Sequence, residues 1–183
     1  MDQQEHDLEQ ALQQLEKTRV LLLTALMQYR FWHETSKETP SYHFERANIS
    51  VKKTNDQVKL IMQGTLPYIN EEHRQKDKNY YRTLSEFYVS EMTKAIENEN
   101  IGIQFEKALV IIKQFYSDEK VRDFDNQYKT FIFNALRYSK VLLDDSWKKL
   151  TYIECGELDK EFPRTEIIVT NAEKLDNIME KIT

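Results

Sequence analysis

The chain has 183 residues, 40% of them hydrophobic and 31% charged, and carries a net charge of −5. These figures fit one domain with enough apolar surface for a core, and they read against a disordered or bilayer-embedded chain. Acidic and basic residues are mixed along the chain, so the basic footprint that nucleic-acid binding usually leaves is missing.

The first ten residues, MDQQEHDLEQ, are acidic and polar, which reads against a signal peptide. Over residues 3–34, Leu8, Leu12, Leu15, Arg19, Leu22, Leu26 and Tyr29 alternate steps of four and three. That is a coiled-coil-like heptad seam with one charged interruption. Val20, Leu21 and Leu23 add apolar surface beside it, so the pattern predicts a homodimer joined through Leu8, Leu12, Leu15, Arg19 and Leu22. The apolar run over residues 20–27 falls far short of the roughly 20 residues a membrane-spanning helix needs. Pro40 breaks the segment. Over residues 42–63, Phe44, Ala47, Val51, Thr54, Val58 and Ile61 again step by three and four, which predicts an antiparallel helical hairpin over 3–63.

Gly64 and Pro67 stop that helix and start the next, over 67–97. Its second half has an apolar stripe at Tyr81, Leu84, Tyr88, Met92 and Ala95. Its first half contains ten residues, 70–79, with nothing apolar. Glu72 and Lys76 stand at i,i+4 there, with Glu71–Arg74 and His73–Asp77 in reach, so the stretch can persist as a charged helix projecting from the core. It is a candidate docking surface, carried by Glu72, Arg74, Lys76 and Lys78 with Tyr80 and Tyr81 at its end. Residues 103–116, with Phe105, Leu109, Ile112 and Phe115, read as a short central helix. Residues 118–152 read as a long one, with Val121, Phe124, Tyr128, Phe131, Ala135, Tyr138 and Leu142 on one stripe and Ile132, Leu136, Leu143 and Trp147 on a second. The tail is ambiguous. TEIIVT at 165–170 has strand composition, but no strand is evident to pair with it, and Ile168, Ala172, Leu175, Met179 and Ile182 continue the helical steps. A terminal helix begun by Pro163 is the expectation.

Catalytic motifs are absent. The three glycines are dispersed, so no phosphate loop forms. Cys155, the single cysteine, sits between Glu154 and Glu157, whose charges oppose a thiolate. A structural thiol in a reducing cytoplasm is expected. None of His33, His43 and His73 has a carboxylate three residues before it, as a di-metal bundle requires. His33, Glu34, His43 and Glu45 would meet at the tip of the hairpin, but helix-end and packing roles suffice for them. Tyr80 and Tyr81 beside Lys78 and Arg82 offer base stacking without a wider basic surface.

The expected fold is therefore all-α, a single domain over 1–183. It would be an elongated bundle of five or six helices, with the hairpin at 3–63, a helical core at 67–152 and a C-terminal tail at 157–183 ending in a helix. The expected function is non-enzymatic, a cytoplasmic adaptor, regulator or inhibitor that binds another protein without a cofactor. A metal-dependent helical-bundle enzyme acting on a small or nucleotide-like substrate is the alternative, and a nucleic-acid-binding regulator the third reading.

Overall fold

Val58, Leu60 and Met62 are buried while Lys59, Ile61 and Gln63 between them are not, a period of two rather than three or four. The segment is a strand. The structure is a computed structural model that describes residues 49–67 and 78–175, together with Ala11, Gln14, Leu15, Thr18, Arg19, Leu21, Leu22 and Ala25. In chain order its elements are β1 (Ile49–Lys53), β2 (Gln57–Gln63), α1 (Lys78–Asn98), β3 (Ala108–Tyr116), α2 (Thr130–Tyr138), β4 (Leu150–Leu158) and β5 (Arg164–Asn171). Short 3-10 turns occupy Phe124–Asn126 and Ala172–Lys174.

The five strands form one sheet in the order β1-β2-β5-β3-β4. β1 and β2 are an antiparallel hairpin, with Val51 opposite Leu60. β5 lies antiparallel between β2 and β3, and β3 and β4 run parallel. Parallel neighbours need a crossover, and α2 supplies it. The five residues between β4 and β5 carry the chain past the end of β3, held by the Asp159 N–H donating to the Tyr116 carbonyl (2.8 Å) and the Gly64 N–H donating to the Pro163 carbonyl (3.0 Å). Gly64 leaves β2 at φ +83°, a conformation open to glycine at little cost.

Both helices contribute to one core with the same face of the sheet. Val51, Val58, Leu60, Met62, Val110, Ile112, Ile167 and Val169 meet Leu84, Tyr88, Met92 and Ile96 of α1 and Phe131, Ile132, Ala135 and Leu136 of α2. Phe131 stacks on Tyr88 at 4.7 Å, where the two helices touch. On the opposite face charge alternates with apolar residues. Glu166 there receives Lys59 (2.7 Å) and Arg164 (2.8 Å), and the Arg164 guanidinium lies 3.6 Å from the centre of the Phe115 ring. Burial raises the pKa of the Glu166 carboxyl, yet these two cations hold it below its ordinary value.

The all-α bundle is thus corrected to a mixed α/β fold, a five-stranded sheet packed against α1 and α2. The helical hairpin fails because residues 49–63 are the β1–β2 hairpin. The central helix at 103–116 is β3, buried on both faces, so its apolar residues form a continuous run that fits either period. The long helix at 118–152 shrinks to nine residues, and Val121, Tyr138, Leu143 and Trp147 of its stripes are exposed. The terminal helix begun by Pro163 is β5, and the strands it pairs with, β2 and β3, are the segments read as helices. Among the described residues no packed heptad seam exists. Leu15, Arg19 and Leu22 are helical and exposed, and the coiled-coil reading does not stand.

Candidate functional site

Among the described residues, two features stand apart from the apolar core: a buried polar cluster beneath the loop that enters α2, and the outer edge of β4.

The cluster grows from Gln114, which falls on the helical face of β3 near its C-terminal end and is wholly buried. Its amide is fully engaged. The Leu66 N–H donates to Oε1 (3.2 Å), and Nε2 donates to Glu154 Oε1 (3.1 Å) and to Gln127 Oε1. Gln127 Nε2 in turn donates to Tyr116 Oη (2.9 Å). Lys129, which caps α2, donates to the Phe124 carbonyl (2.9 Å) and pairs with Glu154 Oε2. Burial pushes the Tyr116 hydroxyl above its ordinary pKa. A Cβ on Gly156 would stand 2.9 Å from the Tyr116 ring, so glycine lets that ring lie against β4. The Gln114 amide and the Lys129–Glu154 pair are satisfied within this cluster, which pins the 117–129 loop to the sheet.

β4 is different. It ends the sheet, and among the described residues no strand pairs with its outer side. None of its nine residues is buried, whereas seven of the nine in β3 are. Edge strands are usually short, or carry lysine, proline or an inward charge that discourages further pairing. β1, at the other edge, is five residues long and carries Lys52 and Lys53. β4, LTYIECGEL, has neither lysine nor proline, and Glu154, its inward-facing charge, is already neutralised by Lys129. Apolar side chains surround it. Tyr152 is 50% exposed and packs 5.4 Å from Phe133 of α2, Leu158 is 47% exposed, and Trp147 in the turn just before the strand is 85% exposed. Cys155 is half-buried, with Sγ 3.9 Å from the Ile112 carbonyl, and burial raises its pKa. Across the strand ladder, Glu157 bonds Lys113 (2.9 Å) and raises its pKa.

Glu72, Arg74 and Lys76 lie outside the described residues, as do Leu8, Leu12, His33, His43 and all other histidines. Lys78 and Tyr80 are in the first turn of α1. Tyr81 is in the core, 6.1 Å from Tyr128 in an edge-on contact. Among the described residues no cluster of His, Cys, Asp or Glu could hold a metal ion, and no helix is long and apolar enough to cross a membrane. Sequence reading missed the β4 edge. Its signal was the run Leu150, Thr151, Tyr152, Ile153, rich in strand-favouring side chains just after a break at residues 144–146.

No protein-family model and no curated protein sequence matches the chain. Among solved structures, the OmpA-like domain of FopA1 from Francisella tularensis subsp. tularensis SCHU S4 is 13% identical, covering 73% of this chain and 88% of that chain, with a TM-score of 0.27. Similarity at that level carries neither a fold family nor an activity to this protein.

Proposed function

We propose that this protein is a protein-interaction module whose docking surface is the outer edge of β4, where an extended segment of a partner adds as a further strand. Strand addition of this kind draws affinity from main-chain hydrogen bonds and specificity from pockets for alternate side chains. The single observation that carries the reading is a nine-residue edge strand with no buried residue and none of the usual protecting lysines or prolines. The exposed Tyr152 and Trp147 beside it are of the residue types that anchor interfaces. The satisfied polar cluster supports the same reading, since it holds the α2 side of the edge rigid without offering a free reactive group.

The test is affinity capture with the wild-type chain and with Thr151→Lys/Tyr152→Lys. Adjacent strand residues point to opposite faces, so the pair places one charge on each side of the edge. Thr151→Lys should change stability by no more than about 0.5 kcal/mol, and Tyr152→Lys, which gives up the ring contact with Phe133, by about 1 kcal/mol. A partner held by the wild type and by a Lys52→Ala control on β1, but lost from the double variant, is the expected result. Equal capture by all three proteins contradicts docking at β4.

A further inference from the structure

The ends of β4 differ in charge. Lys148 and Lys149 lead into the strand, Glu157 stands near its end, and Asp159 and Glu161, with Lys160 between them, follow it, so the C-terminal end remains net acidic. We infer that the strand added at this edge is β4 of a second copy of the chain, running antiparallel about a twofold axis. The inference rests on the reading above and names its partner. Antiparallel pairing sets the basic end of each strand against the acidic end of the other, twice by symmetry. Parallel addition would set like against like. The complementarity tolerates small shifts of register: with the axis at Ile153, Glu154 or Cys155, Lys149 falls opposite Glu157, Asp159 or Glu161 of the second copy.

The axis at Glu154 matches the side chains best. Leu150 then stands opposite Leu158, and Ile153 opposite Cys155. Tyr152 stands opposite Gly156, over which the Tyr116 ring of the second copy already lies, so aromatic meets aromatic. The exposed halves of Tyr152 and Leu158 are covered in this arrangement. The two Glu154 carboxylates at the axis are each paired with their own Lys129. Lys149 and Asp159 have partners within the chain, Glu106 at 2.9 Å and Arg164 at 2.6 Å, and the contact between copies extends these pairs into one network. The result is a continuous sheet of ten strands, five from each copy.

The test uses the full 183-residue chain with Cys155→Ser, which removes its only cysteine. Spin labels are placed in turn at Thr151→Cys and Lys52→Cys, and mass is measured by light scattering on the unlabelled wild-type chain as well as on each variant. Twofold pairing at Glu154 offsets the two Thr151 positions by six residues along adjacent strands, giving a separation of about 20 Å, while the two Lys52 positions at the far edges stand about 40 Å or more apart. The expected result is twice the 22.0 kDa chain mass with both separations. A mass of one chain at high micromolar concentration overturns the inference, as does a dimer with other separations. If a monomer still captures another protein that Thr151→Lys/Tyr152→Lys loses, the second copy is ruled out and docking at β4 stands. If neither self-association nor capture depends on the edge, both fail together.

Discussion

Phe131→Ala will destabilise the protein by about 4 kcal/mol, in the range found for buried phenylalanines cut to alanine. The side chain is fully buried, stacks on Tyr88 at 4.7 Å and lies 5.8 Å from Tyr128. It sits where α2 meets α1, and α2 has only nine residues, four of them buried, to hold it in place. Truncation removes the transfer energy of the ring and leaves a cavity that these neighbours only partly fill. Domains of this size are stable by about 5–15 kcal/mol in total, so the variant should shift the denaturant midpoint markedly. A loss under about 1 kcal/mol would mean that α2 does not pack on α1 through this ring.

Gln114→Leu will cost about 3 kcal/mol, though leucine is the more hydrophobic residue. The substitution strips the Leu66 N–H, Gln127 Oε1 and Glu154 Oε1 of one partner each. A buried polar group left without a partner costs about 1–3 kcal/mol. Glu154 keeps Lys129, which limits the total. Adding Gln127→Leu should recover part of the loss, because it removes an orphaned acceptor. The double variant is therefore expected to be more stable than the sum of the single changes predicts. Strict additivity in chemical denaturation would show that the two amides do not act as one network.

How much of this was legible in the sequence differs by element. α1 was readable from Tyr81 onward because its buried face is backed by polar residues, and the period of Tyr81, Leu84, Tyr88 and Met92 has no strand equivalent. β3 was not, because Ala108, Leu109, Val110, Ile111 and Ile112 are all buried and a strand covered on both faces has no period to read. The three consecutive β-branched residues Val110, Ile111 and Ile112 were the available arbiter. β2 misled in another way. Val58 and Ile61 stand three apart and suited a helical stripe, but the true face is Val58, Leu60 and Met62. Once β2 and β3 were read as helices, TEIIVT had no strand to pair with, so one error produced the next. The β4 edge depends on strand order, which joins residues from about 40 to about 110 positions apart, and no local pattern carries that. Gln114 was visible as a polar residue in an apolar run, but its partners Leu66, Gln127 and Glu154 come from three separate parts of the chain.

The central claim is that β4 presents an open edge that a strand can join, and residue-resolved amide hydrogen exchange along β3 and β4 tests it most directly. In a parallel edge strand only alternate N–H groups face the neighbouring strand, and the others face outward. At dilutions where the chain is monomeric, β3 should be protected throughout, while alternate amides of β4 exchange as fast as those of loops. As the partner strand docks, those same alternate amides should slow, and the remaining β4 amides should change little. Slow exchange at every amide of β4 in the dilute monomer would mean that the edge is already covered within the chain, and would contradict the account.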